Sequence, residues 1–166
     1  TKTVTIPSSI TGGYYYVCMI VDINNQVSES DENNNDDYDT GRVRVYELAD
    51  LVPRTTSSSC STPTTGTVGD YLTSSISIQY ENDVSSSHGQ STGTFYWAMY
   101  LSTDSTITTS DTQVGSDQYS SSLSSGSYRT DSLSSSNRIP STMNAGTYYW
   151  GYILDVDSDV DEASES

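Results

Sequence analysis

An internal repeat constrains the fold of this chain more than any other feature of its sequence. Residues 7–33 align without a gap with residues 140–166, at an offset of 133 residues, and ten of the 27 aligned positions are identical. The identical pairs are Pro7/Pro140, Ser8/Ser141, Gly13/Gly146, Tyr15/Tyr148, Tyr16/Tyr149, Ile20/Ile153, Asp22/Asp155, Val27/Val160, Glu29/Glu162 and Glu32/Glu165. Solenoid repeats are only about 20 to 50 residues long, so each copy here is expected to be a domain with its own core.

The repeat predicts a domain boundary between residues 48 and 49. Residues 1–48 are interpreted as the C-terminal hairpin and last strand of one domain, which cannot bury a core alone because an isolated hairpin is marginal in water. Residues 49–166 are interpreted as a second, nearly complete domain that lacks the equivalent of 34–48, including the predicted strand RVRVYEL at 42–48. Sequence or subunits outside this chain are therefore expected to complete both parts.

Composition favours strands over helices. Ser and Thr make up about a third of the residues, and there are 14 Tyr residues against a single Phe. Hydroxyl side chains compete with helical hydrogen bonds, whereas aromatic and β-branched residues suit the surface of a sheet. No stretch has the i, i+3, i+4, i+7 spacing of apolar residues that an amphipathic helix requires. The sequence therefore predicts an all-β protein.

Short segments separated by turn residues indicate the strands of the second copy. The predicted strands are 71–80, 94–102, 128–134 and 146–154. The first of these alternates like a half-buried strand, and the second is apolar on both faces like a central strand. Residues 103–117 are polar and are predicted to form a loop with a short edge strand. This pattern is typical of an antiparallel β-sandwich.

A Gly-x-Tyr sequence begins the last of these strands. The alternation places Tyr148, Trp150, Tyr152 and Leu154 on one face. Tyr148 follows Gly146 by two residues, which suggests a tyrosine corner, in which the hydroxyl bonds to upstream backbone. The alternative is that Tyr148 only fills the core.

Several segments together resemble the cell-adhesion-related domain found in bacteria, CARDB. They are the Ala-Asp-Leu at 49–51, YLSTDSTITTSDTQVGSD at 100–117, AGTYYWGYILDVDSDVDEASES at 145–166 and SESDENNN at 28–35. The resemblance covers almost the whole chain, although the second copy departs from the family ending at Ala163 and Ser164. It implies immunoglobulin-like antiparallel β-sandwich domains in a tandem repeat on a secreted or cell-surface protein, and it does not imply a single function.

The charge of the chain limits its partners. The formal net charge is −16 and the sequence pI is about 4.1, with only six Lys and Arg residues. Nucleic acid is not expected as a partner, because binding to a phosphate backbone relies on Lys and Arg. No membrane span is expected either, since no apolar run reaches the length of about 18 residues that a crossing helix needs. The natural counter-ion is a cation.

Crowded acidic turns predict calcium as a cofactor. Calcium takes about six to eight oxygens from carboxylates, amides and carbonyls, and no His or thiolate cluster favours another metal. The Asp-x-Asp-x-Asp spacing resembles the start of an EF-hand loop, but Val160 stands where that loop has Gly and the closing Glu is not at the twelfth position, so that loop is rejected. The alternative is a solvated acidic turn. The candidate ligands are Asp155, Asp157 and Asp159, with Asp104 and Asp111 in the preceding loop, and Asp22, Asn24 and Glu29 in the first copy.

The remaining reactive residues do not indicate an enzyme. His88 is the only histidine and lies in a segment rich in Ser and Gly, which offers little of the orientation that catalysis needs. Cys18 and Cys60 fall in different copies, and in a secreted protein a disulfide between them would stiffen the junction. Two unpaired thiols are the alternative. The Ser/Thr runs at 55–65 and 119–127 are candidates for O-linked sugar or, alternatively, polar faces that favour solubility.

Three classes of function stay open. The first is a structural repeat unit of an extracellular filament, stalk or adhesive surface, in which neighbouring copies are the partners. The second is a binding module for a surface glycan or host protein, in which exposed tyrosines such as Tyr14, Tyr16, Tyr149 and Tyr152 would form a patch, although packing explains most tyrosines in strands. The third is an accessory domain of a secreted hydrolase. The repeat favours the first, either as one continuous chain or as strand-exchanged subunits.

Overall fold

The fold consists of strands joined by turns and loops. The computed structural model describes residues 3, 5–7, 9–54, 60–84 and 87–162, and these ranges contain no helix and hence none able to cross a membrane. Their strands pair only in antiparallel fashion, so the all-β prediction is confirmed. The strands are β1 (Gly13–Ile20), β2 (Asp36–Val45), β3 (Leu51–Pro53), β4 (Cys60–Ser61), β5 (Ile76–Asn82), β6 (Phe95–Ser102), β7 (Thr112–Ser120), β8 (Tyr128–Leu133) and β9 (Tyr149–Leu154).

The chain divides into two compact units, Thr1–Glu47 and Leu48–Ser166. The first unit contains the hairpin β1–β2, whose register pairs Gly13 with Val45 and Ile20 with Asp36. β2 begins six residues earlier than the predicted strand 42–48. Nearly every residue of this hairpin is exposed, so it buries almost no apolar surface of its own.

The second unit contains two sheets. In the first sheet, β5 is central, with β8 along one edge and β3 and β4 along successive parts of the other. In the second sheet, β6 is central and is flanked by β7 and β9. Buried side chains from both sheets belong to one apolar cluster, which is consistent with a β-sandwich.

The core comes mainly from the two central strands. In β5, Ile76, Ile78 and Tyr80 are fully buried and alternate with half-buried residues, as the period of two predicts. The predicted strand began at Tyr71, but residues 71–75 precede the paired segment. In β6, all residues except Tyr96 are buried, which confirms a central strand that is apolar on both faces.

β7 is the main departure from the sequence-based prediction. Residues 103–117 were expected to form a loop with a short edge strand, whereas β7 runs for nine residues, Thr112–Ser120. Val114 is its only buried apolar residue, so backbone pairing with β6 holds a strand that has no apolar alternation. Gly115, with a φ of 81°, adopts a left-handed conformation that suits glycine and coincides with an irregularity in the pairing.

Candidate assembly site

The Gly-x-Tyr sequence has the same local structure in both copies. The Tyr148 hydroxyl donates to the carbonyl oxygen four residues earlier at 3.0 Å, and the Tyr15 hydroxyl does the same at 2.8 Å. The ring folds back over the preceding glycine in both copies, since a Cβ at Gly146 or at Gly13 would lie 3.4 Å from it, at ordinary van der Waals contact. The predicted bond from Tyr148 to upstream backbone is confirmed, and its ring also packs against the core.

Asp155 closes the turn that follows β9. Its two carboxylate oxygens accept the backbone N–H groups of Asp159 and Val160, each at 2.9 Å. The φ angles of Asp155 and Ser158 are 48° and 55°, in the left-handed region that Asp tolerates better than most residues. The carboxylate therefore caps two backbone N–H groups of this turn.

Asp22 forms the same turn in the first copy. Its carboxylate oxygens accept the N–H groups of Gln26 and Val27, each at 2.8 Å. Asp22 and Asn25 have φ angles of 45° and 51°, matching the left-handed positions of the other turn. Two turns 133 residues apart thus share both their backbone conformation and their hydrogen bonds.

The other candidate calcium ligands lie in separate turns. Asp104 accepts the N–H of Thr106 at 2.8 Å. Asp111 accepts the N–H of Thr108 at 2.7 Å, and this bond lowers the pKa of its carboxyl group, with help from the Ser102 hydroxyl. The remaining candidates, all exposed, are Asn24, Glu29, Asp157 and Asp159.

Backbone capping explains part of the acidic crowding. Asp22, Asp104, Asp111 and Asp155 each accept at least one backbone N–H group, so their positions have a structural reason that requires no cation. Within the part of the chain that the structure describes, no three His, Cys, Asp or Glu side chains are grouped to hold a metal ion. Calcium binding stays a prediction.

Cys18 lies in β1 and Cys60 in β4, each in a different unit. Both side chains are exposed, and neither forms a disulfide in the structure. The bridge between them stays a prediction. His88 lies in a loop, where its Nδ1 is 3.0 Å from the Ser87 hydroxyl.

The Ser/Thr runs have different surroundings. Residues 55–59 of the first run lie outside the described residues, as do Ser8 and Glu165 of the repeat. In the second run, Leu123 is buried, whereas Ser121 and Ser122 are exposed. The second run is therefore only partly a polar face.

The inner face of β9 is covered, whereas the equivalent face of β1 is open. In the second unit, the predicted inward face packs against the core through Tyr148, Trp150, Tyr152 and Leu154. The aligned side chains of the first unit are largely exposed: Val17 by 58%, Met19 by 65% and Val21 by 47%. The turns differ in the same way, since Val160 is 4% exposed and its counterpart Val27 is 59% exposed. The first unit therefore exposes the apolar face whose counterpart is packed against the core in the second unit.

β9 also has an unpaired outer edge. One edge pairs with β6, and no described strand pairs with the other. In the first unit, β2 pairs with β1, the strand that aligns with β9. An open cavity of about 570 Å³ lies beside the start of β9. Its apolar wall includes Val68, Ile139, Met143, Tyr148 and Trp150.

The outward face of the hairpin carries aromatic rings and guanidinium groups. The Arg42 guanidinium lies 5.0 Å from the ring centre of Tyr14, and the rings of Tyr16 and Tyr38 meet edge to face at 5.6 Å. These three tyrosines are each more than half exposed. Sequence reasoning named Tyr14 and Tyr16 but missed Arg42, although the alternation in RVRVYEL placed it on one face.

Tyr152 and Tyr80 belong to the core instead. The Tyr152 hydroxyl donates to the Gln79 carbonyl oxygen of the other sheet at 2.9 Å. The Tyr80 hydroxyl is 2.6 Å from Ser120 Oγ of the other sheet and also donates to Asp131. Burial raises the pKa of both phenols to about 12, so both stay neutral and link the sheets. Tyr152 is therefore not part of an exposed patch, whereas Tyr149 is 53% exposed.

Comparisons of the chain with protein-family models, with curated proteins and with solved structures found no match.

Proposed function

We propose that this chain is a structural repeat unit of an extracellular filament, stalk or adhesive surface, built from immunoglobulin-like domains in tandem. The observation that carries the proposal is the recurrence of local structure at one offset. The tyrosine turns at Tyr15 and Tyr148 and the capped turns at Asp22 and Asp155 share their hydrogen bonds, and the capped turns also share their φ angles. Recurrence of two independent turns at the same spacing favours a duplicated domain over chance similarity.

The strand order of the second unit supports the immunoglobulin-like assignment. If β3 and β4 are strand A, then A, B and E form one sheet, and C′, C and F form the other. This order is that of an immunoglobulin-like sandwich without strands D and G. Tyr148 stands at the start of strand F and bonds to upstream backbone, as a tyrosine corner does. In such a sandwich, strand G lies beside F, at the edge of β9 that pairs with no described strand.

The open face of the first unit supports a repeat in which domains are completed by their neighbours. An exposed apolar face of this kind is unfavourable in water and marks a surface that other strands cover. The resemblance to CARDB adds the expectation of a secreted or cell-surface location.

Imaging of the native material tests the proposal. We expect electron micrographs to show filaments or beaded stalks with an axial repeat of about one domain. Uniform isolated particles at all concentrations would contradict it. Mass spectrometry of the denatured material separates the two forms of array, since a discrete 18.0 kDa species indicates subunits and a longer species indicates one continuous chain.

A binding module for a glycan or host protein is the second candidate. It is favoured by the exposed rings of Tyr14 and Tyr16 with the Arg42 guanidinium, because aromatic faces and cations are common in recognition surfaces. Binding to immobilised glycans that is lost in Tyr14→Ala, and kept in the equally exposed control Tyr149→Ala, would support this candidate. If both variants bind the glycans equally, the surface around Tyr14 is excluded as the binding site.

A further inference from the structure

We infer that residues 36–45 of one copy pair with the outer edge of β9 in a second copy, so that copies join head to tail by strand exchange. The inference rests on the proposed function for its setting, because it names the contact that would link the array. Its geometry comes from the hairpin β1–β2, in which a segment that aligns with β9 already holds such a strand.

The hairpin supplies the register of the proposed pairing. In β1–β2, Gly13 pairs with Val45, Tyr16 with Arg42 and Ile20 with Asp36. Transferred along the repeat, these pairs set Gly146 opposite Val45, Tyr149 opposite Arg42 and Ile153 opposite Asp36 of the second copy. An unpaired strand edge presents N–H and C=O groups that favour the addition of another strand.

The cavity beside β9 accommodates the side chains that this register brings in. Val43 pairs with Tyr15 in the hairpin, so it would lie beside Tyr148 in the exchanged pair. Val45 would lie beside Gly146, and both Gly146 and Tyr148 line the cavity of about 570 Å³. Directly opposed residues of antiparallel strands point to the same face, so both valines would enter the cavity from its open side.

Release of β2 from its own hairpin costs little. All of its residues are exposed except Val45, which is half-buried, and Val43 is 44% exposed. Isolated two-stranded hairpins are marginal in water, because their pairing is not supported by a covered apolar face. The exchange therefore replaces a weakly held position by one in which two valines are removed from water.

Ring contacts favour the same partner. Arg42 and Arg44 do not make β2 cationic, because the strand also carries Asp36, Asp37 and Asp39 and has a net charge of −1. Tyr149 is 53% exposed and aligns with Tyr16, whose ring meets Tyr38 edge to face at 5.6 Å. In the exchanged pair, Tyr149 would make this contact with Tyr38 of the second copy.

Donor and acceptor are different surfaces of the same chain. A contact between unlike surfaces is heterologous, and it propagates into a filament unless rotation closes a ring. Each copy would donate β2 to one neighbour and accept a strand at β9 from the other. Strand exchange would thus link successive copies into a polymer.

A synthetic peptide of residues 34–48 added to the full chain tests the acceptor edge. We expect saturable binding and slower hydrogen exchange of backbone amides in 146–154. The matched control is the same peptide with Val43→Ser and Val45→Ser, which keeps length and charge but loses the side chains that fill the cavity. Its affinity should be at least about tenfold weaker, because burial of two valines is lost.

Cysteine cross-linking tests whether the donor is a second copy. In a Cys18→Ser, Cys60→Ser background, we mix a Tyr149→Cys variant with an Arg42→Cys variant, so that only contacts between copies can form the heterodimer. Directly opposed residues lie within the Cα separation that a disulfide requires. The control replaces the Arg42→Cys variant by Val43→Cys, one residue along and on the opposite face. We expect the first pair to form disulfide dimers faster than the second.

Each result decides the inference. If saturating peptide leaves the hydrogen exchange of amides 146–154 unchanged, strand addition at β9 is overturned. The same holds if the control peptide slows their hydrogen exchange equally. Protection by the peptide together with no preference for the Arg42→Cys pair overturns the assignment of the donor to a second copy. Neither result affects the micrographs of native material, so failure of strand exchange remains distinguishable from failure of the proposed array.

Discussion

Replacing Asp155 by alanine separates the two explanations of the acidic turn after β9. If the carboxylate is a backbone cap, the Asp155→Ala variant loses the acceptors for the N–H groups of Asp159 and Val160 at any calcium concentration. If calcium binding is its role, the effect of the substitution should disappear when chelator removes the metal, because a ligand stabilises the state to which it binds.

The cost of the substitution follows from the geometry of the turn. Two hydrogen bonds to a partly exposed carboxylate contribute about 1 kcal/mol each. Alanine in the left-handed conformation at φ 48° adds about 1 kcal/mol, since its Cβ crowds the following carbonyl oxygen. The free energy of unfolding should therefore fall by about 3 kcal/mol, which lowers the Tm of a domain of this size by roughly 10 °C.

Tryptophan fluorescence during thermal unfolding is the appropriate assay, because both tryptophans, Trp97 and Trp150, lie in the second unit. Asp22→Ala is the matched control, since it removes the same cap from the first unit and should leave this signal unchanged. Asp155→Asn should fall between wild type and Asp155→Ala, because it keeps one acceptor and tolerates positive φ. A Tm loss for Asp155→Ala that occurs with millimolar calcium and vanishes with chelator would refute the backbone explanation. An unchanged Tm under both conditions would refute both roles.

Two further predictions concern the core. Val160→Ala should lower the free energy of unfolding by about 2 kcal/mol, because it leaves a cavity in the core. Val27→Ala, at the aligned but exposed position, should have no measurable effect on unfolding detected by tryptophan fluorescence. Equal effects of the two substitutions would contradict the unequal burial. The free energy of unfolding should also fall as pH rises from about 10 towards 12. In the unfolded chain, tyrosine loses its proton near its ordinary pKa of 10.0, whereas in the folded protein Tyr80 and Tyr152 have a pKa of about 12 and keep theirs. The stabilising contribution of the two neutral phenols is fully present below pH 10. Urea unfolding across this range should show a smaller decline of the free energy of unfolding in Tyr152→Phe than in wild type.

The alternation of apolar residues predicted the core because strand periodicity is a local property. It identified the buried side chains of β5 and the inward face of β9 from Tyr148 to Leu154. It missed most of β7, because a polar edge strand is held by backbone pairing to β6 and leaves no apolar pattern. Strand extent at an edge depends on the neighbouring strand, which one segment of sequence does not contain.

The acidic turns illustrate a second limit. From sequence, Asp155 and its neighbours form a set of oxygen ligands, and nothing in the spacing separates a metal ligand from a cap. The distinction depends on φ angles near 50° that fold the chain back on the carboxylate. The cavity beside β9 and the ring contacts of Tyr14 with Arg42 were equally out of reach, because both arise from register between segments.

The two copies share apolar positions that are exposed in the first unit and buried in the second, so the chain has to avoid uncontrolled association through the exposed ones. The first unit exposes the face that includes Met19, and one edge of β9 pairs with no described strand, and both features favour aggregation in a neutral protein. A net charge of −16 opposes random approach of two copies, since most of their surfaces repel. β2 is not exempt from this repulsion, because Asp36, Asp37 and Asp39 outweigh Arg42 and Arg44 and leave the strand with a net charge of −1. A preference for β2 at the open edge therefore has to come from its register with the strand that aligns with β9 and from the fit of Val43 and Val45 to the cavity, and not from its charge.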